Sequence, residues 1–383
     1  LDVCRGVYMK KTEGGKTVRA YRHSDDFRVS SEDVAGRTTE EKKMRGLVRM
    51  AEFAPLDRFL GCTFEYVNAE TGEPDPDGTI VLVRQVDKIR EMETEFADLR
   101  GLFNKRGRVR KNPVPVDAIK FDEDLDEVFG RFLSPPEVKL YQSVVGCVNW
   151  VVNSTRPDAM LGNFLLSTRM AKPRWWDLSL AAHMVDYLVG TAEAPLVLGG
   201  PVLEPEIYAD ASFASLPDRR SILGHLAVMG KGSGAIYAQV STTKTAVTSI
   251  WEAELMAGCR GMDTGLYLTQ ACKELDYPVS GTRVVWVDNK AEVDWVKGSV
   301  SNKRSRHIDV RYYRSRHLQE TGEVSFEYIR TEDNIADILT KPLAWRLFRK
   351  HATQILGHGL VQGKGIVGVF EELSEASLDV EDN

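Results

Sequence analysis

The sequence predicts an α/β (α+β) architecture. A mixed five-stranded sheet with flanking helices occupies residues 201–357, preceded by a largely helical stretch and, before that, by short strands. Three observations carry this. From Ile207 onward the pattern runs three strands, helix, strand, helix, strand, helix, which calls for a mixed sheet with helices packed against it. Residues from about Asp87 to Gly190 instead space their apolar positions by three and four, with proline interruptions. Between the two lies Leu198-Gly199-Gly200-Pro201, a flexible break that marks a domain boundary.

Taken in order, Val18-Arg19-Ala20-Tyr21 is an extended segment leading into the acidic pair Asp25-Asp26. A helix is expected from Thr38 to Phe53, and Phe59 to Tyr66 reads as a strand. Glu70 to Gly78, rich in Gly, Pro and Asp, is a turn, and Ile80 to Arg84 is the return strand. Leu140, Val144, Val145, Val148, Val151 and Val152 share one buried helix face, and Met170 to Leu188 repeats the pattern.

In the C-terminal part, Ile207-Tyr208-Ala209, Ser221 to Met229 and Ala235 to Val240 are strands. The last two are joined by the glycine turn Gly230 to Gly234. A long helix should run from Ser249 to Leu275. A fourth strand follows at Arg283 to Val287, then a short helix, a fifth strand at Val324 to Ile329, and a final helix started by Asn334. Residues 358–383 form an acidic tail that frays from Glu371.

Composition narrows the class. A chain of 383 residues, 43% hydrophobic and 28% charged, has room for two or three folded domains and is not wholly disordered. The net charge of -6 gives no global sign of a nucleic-acid partner, which would instead show as a local basic patch. Cys4, Cys62, Cys147, Cys259 and Cys272 are scattered without a C-x-x-C pair, so neither zinc site nor disulfide framework is readable. Reduced thiols in an intracellular compartment are expected. No apolar run approaches the roughly 18 residues of a membrane span, and Leu1-Asp2-Val3-Cys4 opens no secretory signal. The expectation is a protein that is neither secreted nor membrane-bound, cut from a longer polyprotein.

Four acids stand where a metal site could be built. Asp210 ends the first strand of the sheet, Glu254 lies one turn into the long helix, Asp288 ends the fourth strand, and Asp337 opens the final helix. Hydrolysis of a phosphodiester needs a nucleophilic water and relief of charge on the phosphate and the leaving oxygen. Two hard divalent cations about 3.5–4 Å apart supply both, and such ions take oxygen ligands. Each acid alone has a plainer role as a turn, cap or solvated helix residue. The ordered set, each member in a matching context, outweighs those roles. Glu252 is two residues from Glu254 and so faces elsewhere on the helix.

Tyr208-Ala209-Asp210-Ala211-Ser212, Glu254-Leu255-Met256-Ala257 and Trp286-Val287-Asp288-Asn289 resemble the ribonuclease H series. The run from Glu332 to Leu343 is similar to the end motif of copia-type LTR retrotransposons in particular. Arg220 to Gly224 and Arg306 to Tyr312 resemble the same family. The resemblance implies a ribonuclease H-like domain in which Asp210, Glu254, Asp288 and Asp337 bind two Mg2+ ions, with Mn2+ as a substitute. It implies cleavage of RNA in an RNA–DNA hybrid. The histidine that many such enzymes place before the last Asp is missing, since that loop reads Arg330-Thr331-Glu332-Asp333. Glu332 or Asp333 would have to assist, or product release proceeds unaided.

Upstream, His23-Ser24-Asp25-Asp26-Phe27 occupies the place of the polymerase turn, usually Tyr-Val-Asp-Asp in these elements. Pro55 to Gly61, Ser154-Thr155-Arg156-Pro157-Asp158 and Tyr187-Leu188-Val189-Gly190-Thr191 resemble the family's reverse transcriptase. This implies a partial palm at residues 1–85 with Asp25 and Asp26 as its remnant, and a thumb or connection region at residues 86–200. A third catalytic Asp and the fingers would precede Leu1, so no DNA synthesis is expected of the chain as given. Lys303, Arg304, Arg306, Arg311 and Arg314 form a basic run suited to phosphate contacts. The expected partners are an RNA–DNA hybrid and the rest of the Pol polyprotein. The competing reading is an inactive nucleic-acid-binding relic. An integrase or transposase normally ends its acidic set in Glu, against the Asp, Glu, Asp, Asp order here.

Overall fold

The computed structural model describes residues 7–23, 26–47, 56–119, 124–200, 204–279, 281–298, 310–361 and 370. Three antiparallel strands open the chain: β1 (Val7–Lys11), β2 (Thr17–His23) and β3 (Asp26–Ser30). Helix α1 (Val34–Leu47) follows. It starts four residues earlier than the apolar spacing suggested, because Asp33 accepts the Gly36 amide at 2.8 Å and opens the helix there. The expected helix end at Phe53 lies outside the described residues.

Strands β4 (Arg58–Phe59), β5 (Cys62–Val67) and β6 (Ile80–Arg84) form a second antiparallel set. The middle region is helical: α2 (Val86–Glu95), α3 (Ala97–Phe103), α4 (Glu127–Gly130), α5 (Pro135–Ser154), α6 (Met160–Thr168) and α7 (Trp175–Gly190). Helix α5 buries Val144, Val145, Val148, Val151 and Val152 as their spacing required. Leu140, however, is exposed, and Tyr141 takes its place with its hydroxyl donating to the Leu166 carbonyl at 2.7 Å.

The supposed flexible break is partly ordered sheet. Residues Leu196–Gly199 form β7, which pairs with β6 and completes a four-stranded sheet. Only the glycines show the break, Gly199 and Gly200 having φ of 143° and 132°. One hydrophobic core runs across this point and joins Val83, Tyr141 and Leu188 to Leu226, Ile338 and Phe348.

The C-terminal sheet consists of β8 (Pro205–Ser212), β9 (Ile222–Met229), β10 (Ala235–Thr242), β11 (Arg283–Val287) and β12 (Val324–Tyr328). Its order is β10-β9-β8-β11-β12, antiparallel through the first three and parallel through the last. Helix α8 (Ile250–Glu274), with α9 (Lys290–Val296) and α10 (Val310–Glu320), covers one face over a core of Ile207, Ala209, Leu223, Val285 and Phe326. The other face carries Tyr208, Leu226 and Val228 into the shared core, beneath α6 and α11 (Trp345–Ile355). This topology is the ribonuclease H-like arrangement that the resemblance implied.

The final helix was expected at Asn334, and here the structure differs. Residues Ile335–Leu339 form a single 3-10 turn. Pro342 offers no amide and disfavours helical backbone at Lys341, so the turn cannot extend, and α11 begins only at Trp345. Asp210 likewise lies inside β8 rather than at its end. Among the described residues, no helix is long and apolar enough to cross a membrane, and Cys62, Cys147, Cys259 and Cys272 are free thiols.

Two polar devices join the parts. Arg19 on β2 reaches the carbonyls just past the end of α8, donating to Leu275 and, at 2.6 Å, to Asp276, with its guanidinium 3.9 Å from the Tyr277 ring. Arg156, 1% exposed, donates to both Asp158 oxygens at 3.0 and 2.7 Å and to the Thr191 carbonyl and hydroxyl at 3.1 and 2.8 Å. Tyr187 donates its hydroxyl to the same Asp158. These are the residues of the Thr-Arg-Pro-Asp and Tyr-x-x-x-Thr segments, and they lock the start of α6 to the end of α7. Replacing Arg156 by Met should leave a buried carboxylate without its cation and destabilise the protein by about 3–5 kcal/mol. Urea denaturation measures this, and an unchanged midpoint would show that the pair holds nothing together.

Candidate metal centre

Register builds the site. Strands β8 and β11 are parallel with Trp286 beside Tyr208, whose rings lie 6.5 Å apart. Two residues further along each chain, on the same face by the period of two, come Asp288 and Asp210. Glu254 arrives from α8, which Ser249 caps by accepting the Glu252 amide. Its carboxylate accepts the Ala211 amide at 3.0 Å, which holds it at the edge of β8. Asp210, Glu254 and Asp288 thereby bring one oxygen each within 4.8 Å of one another. Glu252 turns away to accept from the Thr248 amide and hydroxyl at 3.1 and 3.2 Å.

Asp337 is placed differently from the other three. It is buried, yet it is not part of that close group. The Lys341 ammonium stands between it and Asp210, 2.7 Å from Asp337 Oδ1 and 3.2 Å from Asp210 Oδ1. Thr340 donates its hydroxyl to the other Asp210 oxygen. Room for Thr340 exists because Gly224, opposite Asp210 on β9, has no side chain. A Cβ there would lie 2.7 Å from Leu339 and 2.8 Å from Thr340. Asn334 anchors the turn by donating to the Ala209 carbonyl at 2.9 Å and accepting the Ala336 amide at 3.2 Å.

The electrostatics follow from burial. Desolvation, partly offset by Lys341 and reinforced by Asp337, raises the Asp210 carboxyl to about 7. Burial and then Asp210, Glu292 and Asp288 push Glu254 up to about 10. Glu292, fully buried on α9, rises to about 8 through burial and Asp288. An all-oxygen donor set this crowded suits a hard divalent cation, whose charge would offset that repulsion.

Lys341 and Glu292 are the site residues that sequence reasoning missed. Lys341 was legible as a cation one turn past Asp337. Nothing local marked Glu292 as buried. Of the other expected residues, Asp25 lies outside the described residues and Asp26 is described only as backbone at the start of β3. In the basic run, Lys303, Arg304 and Arg306 lie outside the described residues, and Arg311 is described only as part of α10. Arg314 pairs with Asp263. In the loop without histidine, Asp333 is held by Lys350 at 2.6 Å. A cavity of ≈ 1490 Å³ is lined by Tyr208, Trp286, Asp333, Trp345 and Lys350 but by none of the four acids. Size therefore does not locate the chemistry.

A ribonuclease H-like sheet with three carboxylates converging at one edge defines the class of the C-terminal part. The chain is homologous over about half its length to copia-type retrotransposon Pol polyproteins. It is 30% identical over 204 residues to the retrovirus-related Pol polyprotein from transposon TNT 1-94 of Nicotiana tabacum, covering 52% of this chain and 15% of that protein. It is 27% identical over 217 residues to that from transposon RE1 of Arabidopsis thaliana, covering 56% of this chain and 15% of that protein. The chain thus spans about 15% of the length of these relatives. Among solved structures, the N-terminal ribonuclease H domain of a Mycobacterium tuberculosis protein aligns at 17% identity and a TM-score of 0.29, covering 41% of this chain and 98% of that one. No protein-family model matches the chain.

The raised carboxyls predict a pH dependence. Each folded-state value exceeds the unfolded value of about 4, so the folded chain binds more protons across that interval. Metal-free stability should therefore fall as the pH rises from about 7 to 9, above the range in which the buried His183, His225 and His358, lowered to about 4, contribute the opposite slope. Addition of a divalent cation should flatten the slope. Thermal melts across that range, with and without magnesium, measure both effects. A metal-free protein that gains stability with pH would contradict the arrangement.

Proposed function

We propose that the C-terminal part of this chain is the ribonuclease H of a retrotransposon Pol polyprotein and hydrolyses the RNA strand of an RNA–DNA hybrid. The convergence of Asp210, Glu254 and Asp288 from three separate elements carries this reading. Their oxygens would hold magnesium, or manganese in its place. When bound, such ions activate a water and neutralise charge on the scissile phosphate. In the hydrolysis the water oxygen bonds to phosphorus, the bond to the leaving ribose oxygen breaks, and that oxygen takes a proton.

The chain's own residues do the positioning. Ala211 holds Glu254, Thr340 and Lys341 hold Asp210, and Lys341 ties Asp337 to the same edge. Asp337 is assigned to the centre with the other three, reached through Lys341 in the arrangement described. Lys303, Arg304, Arg306, Arg311 and Arg314 are proposed to contact the phosphate backbone, where they would give salt-sensitive affinity without reading sequence. The partners would be the hybrid and the remainder of the Pol polyprotein, in an intracellular setting.

Cleavage of a labelled RNA–DNA hybrid in magnesium, then manganese, tests the reading. Asp210→Asn and Glu254→Gln should each lower kcat at least about a hundredfold, roughly 2.7 kcal/mol in barrier. Asp337→Asn, acting through Lys341, should cost about 10–100-fold, as residues behind a ligand do. Native protein that binds the hybrid yet cuts it in neither metal would sink the enzyme and leave the binding relic.

A further inference from the structure

Glu292 has no part in the chemistry above, and its surroundings are unusual. It is the third residue of α9, where a glutamate ordinarily folds back onto the amide of the capping residue. Here Asn289 caps the helix by accepting the Glu292 amide at 3.2 Å, while the carboxylate runs inward. It is 0% exposed, and neither carboxylate oxygen has a hydrogen-bond partner among the described residues.

Its resting place is made by a missing side chain. A Cβ on Gly258 would lie 2.2 Å from the Glu292 Oε1 and 3.0 Å from Phe326. Gly258 is four residues after Glu254, one turn further along the same face of α8. The carboxylate therefore lies against α8 one helical turn from Glu254. Among the described residues, the charges that act on it are those of acids, Asp288 and Glu254. A buried carboxylate that among the described residues has no donor and only like charges around it is costly to keep, and a cation relieves that cost.

We propose that Glu292 is a fourth, inner carboxylate of the centre, accepting from a water ligand of a divalent ion held by Glu254 and Asp288. The water places it as a positioning residue, consistent with its absence from the close group of Asp210, Glu254 and Asp288. The inference rests on reading those three as metal ligands. It assigns to Glu292 a contribution to ion affinity that is balanced by a loss of stability in the metal-free protein.

The experiment is manganese binding by calorimetry and metal-free thermal melting, on the full chain, for native protein, Asp210→Asn, Glu292→Gln and Glu292→Met. The expected result is a roughly 10–100-fold weaker manganese affinity in Glu292→Met, a smaller loss in Glu292→Gln, and a higher metal-free melting temperature in both. If Asp210→Asn loses affinity while both Glu292 variants bind as native, the inner carboxylate is refuted and the centre stands. If Asp210→Asn also binds manganese as native, the ligand reading itself fails. A metal-free Glu292→Gln and Glu292→Met that melt lower than native, or lose a cooperative melt, would make Glu292 a structural residue and overturn the proposal.

Discussion

Like-charge repulsion among buried carboxylates is the constraint around which the C-terminal part of this protein is arranged. Asp210, Glu254 and Asp288 lie within 4.8 Å of one another, and Asp210 and Glu254 are buried. A sheet edge alone would not hold such groups together. They are held by specific donors: the Ala211 amide on Glu254, the Thr340 hydroxyl on Asp210, and the Lys341 ammonium between Asp210 and Asp337. The remaining tension appears as carboxyls raised well above their ordinary range. A cation between them turns that tension into affinity.

The backbone serves this arrangement at several removes. Parallel pairing of β8 with β11 brings Asp210 and Asp288 side by side. Gly224 lets the turn carrying Thr340 and Asp337 lie directly on β9, and Asn334 fastens that turn to Ala209. Gly258 opens the space that Glu292 fills. Glycines on β9 and on α8 thus shape the two sides of one acidic site by what they leave out.

The middle region solves the same problem in the opposite way. Arg156 and Asp158 are as buried as the acids of the centre, yet every charge there has a geometrically matched partner. That network closes on itself. It also sits within the core that continues into the C-terminal sheet through Leu226 and Ile338, so the helical region and the sheet share one interior. A fully satisfied buried pair fits a structural role, and an unsatisfied acidic cluster fits a ligand site.

Much of this was legible from residue order. Strand and helix periodicity located all five strands of the C-terminal sheet and the long helix to within a few residues, because each buries a face with its own repeat. Asp210, Glu254 and Asp288 were legible as a set because each stands in a recognisable local segment, in order along the chain. Local pattern failed where a distant partner decided the outcome. Leu198 and Gly199 read as a break, yet β6 supplied a strand to pair with. Leu140 looked like core, yet packing chose Tyr141. The sequence by itself determined which acids are available and which elements carry them, since spacing and chain order dictate both. Only the tertiary structure decided that three of the four acids converge while Asp337 pairs with Lys341. It also decided that Glu292 is buried with no hydrogen-bond partner among the described residues. Those outcomes depend on strand register and on the space left by two glycines far away in sequence.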